Sequence, residues 1–78
     1  MHTQNMQILE HLKSGKQITP IDALNIYGCM RLAARIHDLR LEGWPIYTDM
    51  LASETNHKVH FAAYTLAADK SLWPDAPV

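Results

Sequence analysis

With 78 residues the chain has room for one small domain around one hydrophobic core, which excludes a multidomain enzyme. Seven Lys and Arg against eight Asp and Glu leave a formal net charge of -1, so a strongly basic nucleic-acid coat and a polybasic membrane anchor are excluded and any anion-binding surface has to be local. A single cysteine, Cys29, makes neither an internal disulfide nor a paired thiolate metal site, so the composition suits a reducing compartment. No apolar stretch approaches the roughly 18 residues of a bilayer span, and the polar opening Met1-His2-Thr3-Gln4-Asn5-Met6-Gln7 is unlike a signal peptide, so a soluble intracellular protein is expected.

Thr3 is placed to cap a first helix whose residues Met6, Ile8, Leu9 and Leu12 form one buried stripe, with Gln7, Glu10, His11 and Lys13 in water and Gly15 as the stop. After the polar link Lys16-Gln17, the run Thr19-Pro20-Ile21-Asp22 supplies an N-cap hydroxyl, a proline at the first helical position and a carboxylate in the first turn. A short second helix follows, with Ala23, Leu24, Ile26 and Tyr27 as apolar positions and Gly28 as its left-handed terminator. From about Met30 to Glu42 helix formers dominate, and Leu32, Ile36 and Leu39 recur at i, i+4 and i+7, which predicts a third helix ended by Gly43.

Trp44-Pro45 prevents continuation of that helix. Ile46 to Leu51 and Val59 to Leu66 are β-prone runs around the polar turn Ser53 to Lys58, which predicts a β-hairpin. The expected product is an α+β domain over residues 3–66, three helices followed by a hairpin, with a tail over 67–78 that is either disordered or docked through Trp73. Its expected core is Leu9, Leu12, Leu24, Leu32, Ile36, Leu39, Ile46, Tyr64 and Leu66.

Catalytic chemistry is missing from the pattern. There is no Gly-x-Ser-x-Gly elbow, no Gly-rich phosphate loop among three glycines and no acidic cluster at metal spacing, so neither an enzyme nor a cofactor is expected. His57 and His60 read as polar hairpin residues rather than zinc ligands, and Cys29 as a small residue packed between the second and third helices. Tyr27, Trp44 and Tyr64 read as anchors with polar tips.

The run Leu12-Lys13-Ser14-Gly15-Lys16-Gln17-Ile18-Thr19-Pro20-Ile21-Asp22-Ala23-Leu24, joined at this distance to Leu32-Ala33-Ala34-Arg35-Ile36-His37-Asp38-Leu39-Arg40 and Glu42-Gly43-Trp44-Pro45-Ile46, resembles a family of small winged helix-turn-helix proteins of phages and prophages. The resemblance extends over about residues 5–66. It implies a winged helix and a non-catalytic, DNA-binding or transcription-regulating protein in the cytoplasm of a bacterial host. In that fold the third helix lies in the major groove of double-stranded DNA, the start of the second touches phosphate, and the hairpin loop reaches an adjacent groove or the backbone.

Each role has candidates here. At about 100° per residue, Met30, Arg31, Ala34, Arg35, His37, Asp38 and Leu41 lie away from the Leu32-Ile36-Leu39 stripe. Arg31 and Arg35 are therefore expected to point outward one turn apart, either as bidentate donors to guanine or phosphate or as a solvated helix face. Ala34 between them lets the helix approach closely, and Asp38 completes the expected contact set. Arg40 falls on the flank of the stripe, where its stem covers apolar surface or its head pairs with Glu42 or Asp38. Lys16, Gln17 and Thr19 are the phosphate candidates at the start of the second helix. His57 and Lys58 at the hairpin tip reach phosphate or an A·T-rich minor groove, or else form a solvated turn.

In phage repressors a turn glycine is followed six and nine positions later by buried apolar residues; from Gly28 those positions hold Ala34 and His37, which predicts a longer or shifted turn. Residues 1–45 hold five basic and four acidic side chains, and residues 46–78 two and four, an asymmetry of the right sign but small for DNA binding by a monomer. DNA recognition therefore implies a homodimer or a partner protein. The competing reading is an adaptor that binds a host protein through Met30, Leu41 and the Leu72-Trp73 tail.

Overall fold

The computed structural model of the chain describes residues 3–52, 55 and 60–74. Helices α1 (Thr3–Lys13), α2 (Pro20–Tyr27) and α3 (Leu32–Leu41) are followed by strands β1 (Ile46–Ala52) and β2 (His60–Leu66) and a 3-10 turn over Lys70–Leu72. The order is the expected one, three helices and then a hairpin. The cap expected of the Thr3 side chain, Val59, and all of the expected turn except Thr55 lie outside the described residues.

Local chemistry sets each boundary. Thr19 and Asp22 form a reciprocal capping box, with the Asp22 N–H donating to Thr19 Oγ1 at 3.2 Å and the Thr19 N–H donating to Asp22 Oδ2 at 3.1 Å. At the other end of α2, Gly28 takes φ 66°, a left-handed conformation that lets its N–H reach the Leu24 carbonyl at 2.9 Å while the Cys29 N–H reaches Ala23 at 3.0 Å. Cys29 is buried in the angle so formed, and Arg31 has φ -127° and ψ 57°, outside the helical region. For that reason α3 begins at Leu32 and not near Met30.

β1 and β2 pair antiparallel from Ile46 opposite Leu66 to Ala52 opposite His60. The sheet has a one-residue addition that the sequence pattern does not predict: Ile18, in the link between α1 and α2, forms an antiparallel bridge with Tyr64, its N–H donating at 3.0 Å and its carbonyl accepting at 2.9 Å. The helices are thereby attached to the outer edge of the hairpin.

Ile8, Leu9 and Leu12 of α1, Leu32, Ile36 and Leu39 of α3, and Ile46, Tyr64 and Leu66 of the sheet meet in one core with Ile18, Ala23, Cys29 and Trp44. Expected core residue Leu24 is instead 45% exposed. Its helix is apolar nearly all round, and the line actually turned inward is Ala23 with the half-buried Tyr27, one turn apart. Met6, expected in the α1 stripe, is likewise exposed because Ile8, Leu9 and Leu12 already face α3 and the sheet. His11, expected in water, is half-buried: it binds the Gln17 carbonyl through Nε2 at 2.9 Å and the Tyr27 hydroxyl through Nδ1 at 2.8 Å. A carbonyl only accepts, so in the neutral ring the proton sits on Nε2 and the Tyr27 hydroxyl donates to Nδ1.

After β2 the chain turns back onto this core. Trp73 lies 5.8 Å from Trp44 between ring centroids and donates from Nε1 to the Ala67 carbonyl at 2.8 Å. Lys13 Nζ sits over both rings, 5.0 Å from the centroid of Trp44 and 5.7 Å from that of Trp73. The intervening turn is capped by Asp69, whose carboxylate accepts from Ser71 Oγ and from the Ser71 N–H, bonds that hold its pKa below the ordinary value. Being depressed in the folded state, that group supports the turn at neutral pH and withdraws support as the pH falls through its lowered pKa. Trp73→Ala removes half a buried ring and a hydrogen bond, so urea unfolding should show a loss of about 2 kcal/mol. Trp73→Phe, which keeps an aromatic ring but loses the five-membered part of the indole with its N–H, should lose about 1 kcal/mol.

Candidate nucleic-acid interface

α2, the four residues Gly28 to Arg31 and α3 make the helix-turn-helix, with β1 and β2 as the wing. Leu32, Ile36 and Leu39 point inward, and the side of α3 turned to solvent carries Ala33, His37 and Leu41, the half-exposed Ala34, and Met30 just before the helix. Arg31 stands at the N-cap position, exposed, and its side chain has no hydrogen-bond or ion-pair partner among the described residues. The turn between the two helices is four residues long, and the positions six and nine after Gly28 are the half-exposed Ala34 and the exposed His37, not buried apolar residues.

Arg35 departs from the expectation that it points outward beside Arg31. Its side chain is only 17% exposed and lies in the seam between α3 and α1, with Nη1 3.5 Å from Asn5 Oδ1 and 3.5 Å from Asp38 Oδ2. Asn5 is buried and donates in turn to Asp38 Oδ2 at 3.5 Å. The helical angle accounts for this, since Arg35 precedes Ile36 by one position and Leu39 by four and so borders the buried stripe on the α1 side. Its Nε is buried without a partner, which makes the seam the least satisfied polar contact among the described side chains. Asp38, 41% exposed, is drawn into the same cluster.

Arg40 occupies the opposite flank, as expected, but its partners belong to the wing and not to Glu42 or Asp38. Nε and Nη2 both donate to the Ile46 carbonyl, at 3.2 and 2.9 Å, and Nη2 donates to Thr48 Oγ1 at 2.6 Å. The guanidinium carbon is 5.9 Å from the centroid of Tyr64. Arg40 therefore sets the angle between α3 and the hairpin.

At the start of α2, Thr19 is buried and both its hydroxyl and its N–H are engaged in the capping box, so its side chain fixes the helix start and does not stand free for phosphate. Lys16 and Gln17 are exposed just before it. His57 and Lys58 lie outside the described residues. Ala33 is a position that sequence reasoning missed, although the same helical wheel places it 100° from Leu32 and away from α1. Among the described residues no three His, Cys, Asp or Glu side chains gather in a metal-binding group, and no helix is long and apolar enough to cross a membrane.

The sequence profile of the winged helix-turn-helix domain family matches residues 3–69. The chain belongs to that family. Winged helix-turn-helix domains are typically non-catalytic DNA-binding folds, so membership suggests a DNA partner. No curated protein and no solved structure shows a significant match to the chain.

The two arginines on either side of the turn into α3 should separate cleanly by measurement. Arg35→Ala opens the α1–α3 seam and strands Asn5 and Asp38, with an expected loss of about 1 kcal/mol in urea unfolding, whereas Arg31→Ala should stay within about 0.5 kcal/mol of the parent.

Proposed function

We propose that this winged helix is a sequence-specific, non-catalytic reader of double-stranded DNA that regulates transcription in a phage or prophage setting, in the cytoplasm of the bacterial host. The supporting observation is the outward side of α3, built from the exposed Ala33 and His37 and the half-exposed Ala34 behind the guanidinium of Arg31, which has no partner among the described residues. Small side chains let a helix settle deep in the major groove, and an arginine at its leading end has the fork geometry for guanine or phosphate. Lys16 and Gln17 flank the groove at the start of α2, with Thr19 holding that start in place, and His57 and Lys58 serve the backbone or minor groove from the wing. Asp38, tethered to Arg35, borders the contact and does not carry it. The phage setting rests on the resemblance of the Leu12–Leu24 and Leu32–Ile46 segments to small phage proteins.

With a net charge of -1 a protomer neutralises few phosphates, so the working form on this reading is a homodimer on a two-fold site. One specific observation favours a second reading, a winged-helix adaptor for a host protein. Met30 is 85% exposed and Leu41 75%, and a shallow groove of about 570 Å³ lined by Pro20, Ile21, Leu51 and Phe61 adds apolar surface beside the wing.

Selection from a random double-stranded DNA pool at low and at physiological salt distinguishes the two. The DNA reading expects an enriched motif whose half-site symmetry reports the dimer, and an affinity that falls with salt by a slope of about -2 to -3 per protomer. Arg31→Ala should weaken the selected site by about tenfold or more at unchanged thermal stability. No enrichment at either salt would leave the adaptor as the function.

A further inference from the structure

We infer that α3 reads its DNA chiefly through thymine methyl groups, with hydrogen bonds to bases left to Arg31 at one end of the contact and to His37. This rests on the DNA-binding reading above and specifies what kind of sequence that site takes.

Base edges in the major groove are told apart by hydrogen bonds or by the thymine C5-methyl group. The helix Leu32–Leu41 contains no Lys, Asn, Gln, Ser or Thr, so the amide pairing with adenine and the lysine and hydroxyl contacts are all unavailable along it. Its two arginines face elsewhere: Arg35 lies in the α1 seam with Asn5 and Asp38, and Arg40 is bound to the Ile46 carbonyl and Thr48. Asp38, the one acceptor suited to cytosine, is held by Arg35.

Subtracting these leaves Ala33, Ala34, Leu41 and Met30 as apolar surface, with His37 as the sole polar side chain among them. In the major groove the matching apolar feature is the thymine methyl, and alanine is small enough to meet it without lifting the helix off the base pairs. The same small side chains explain how a chain with so little positive charge obtains specificity. Each methyl contact contributes whatever the salt concentration, unlike a phosphate contact. A cluster of thymines beside a single guanine is the sequence this surface fits.

The test uses the full chain and the site recovered from the random pool. Replacing thymine by deoxyuridine removes only the methyl and leaves every hydrogen-bonding group in place. Each replacement under α3 should weaken binding about fourfold, and two about fifteenfold. Replacing both alanines, Ala33→Ser with Ala34→Ser, should shrink the difference between thymine and uracil, with a thermal melt confirming that the variant is folded. Unchanged affinity for the uracil-containing site, with Arg31→Ala still weakening binding about tenfold or more, would overturn this inference and leave DNA reading in place. Failure of the protein to retain any DNA would overturn both.

Discussion

Two backbone hydrogen bonds between Ile18 and Tyr64 hold the architecture together. They join the link between α1 and α2 to β2, with both side chains buried in the core. Their effect reaches well beyond one rung of sheet. Thr19 is the next residue, so the bridge places the capping box and with it the start of α2. On its other edge β2 pairs with β1, whose first residue, Ile46, lends its carbonyl to Arg40 near the end of α3. The start of one helix of the DNA-binding motif and the end of the other are thus referred to the same pair of strands, while the turn at Gly28 sets only the angle between them. A buried peptide group left without its partner is costly, so the bridge and the core support one another.

The elements that depend on nearest-neighbour chemistry were legible in the sequence. Thr19-Pro20 and Asp22 start a helix, Gly28 ends one, and Trp44-Pro45 separates a helix from a strand, each for a reason contained within a few residues. What needed the folded chain was the choice among equivalent faces. α2 carries Ile21, Ala23, Leu24, Ile26 and Tyr27 within a single short helix, and no periodicity selects Ala23 and Tyr27 over Leu24. The choice falls to the rest of the folded core, in which Ala23 is buried and against which Tyr27 is partly buried. The Ile18 bridge was invisible for a related reason, since a one-residue strand has no pattern of its own.

The arginines show the same limit at the candidate site. A helical wheel separates the centre of a stripe from its opposite, but residues on the flanks go wherever a neighbouring element offers a partner. For Arg35 that partner is Asn5, thirty positions earlier in the chain; for Arg40 it is the first carbonyl of the wing. Only Arg31, ahead of the helix, has a guanidinium with no partner among the described residues. Position relative to the other elements, and not residue type, divides the bracing arginines from the exposed one.

That division has an electrostatic consequence. A guanidinium bound to a carbonyl and a hydroxyl, as in Arg40, or to an amide and a carboxylate, as in Arg35, still carries its charge, so both raise the potential around α3 without presenting a fork to a base. Against them stand Asp38, beside Arg35, and Asp22, whose carboxylate occupies the start of α2 where a phosphate would otherwise lie. On the DNA reading, non-specific attraction to a duplex would be correspondingly low, because it scales with the number of phosphates neutralised. A low background would change what specific contacts must accomplish: a modest number of apolar and single-arginine contacts would suffice to distinguish a site from bulk DNA, provided a second protomer doubled them. On the DNA reading, the near-neutral chain and the alanine-lined helix are therefore two parts of one arrangement, in which shape and methyl contacts replace charge as the source of selectivity.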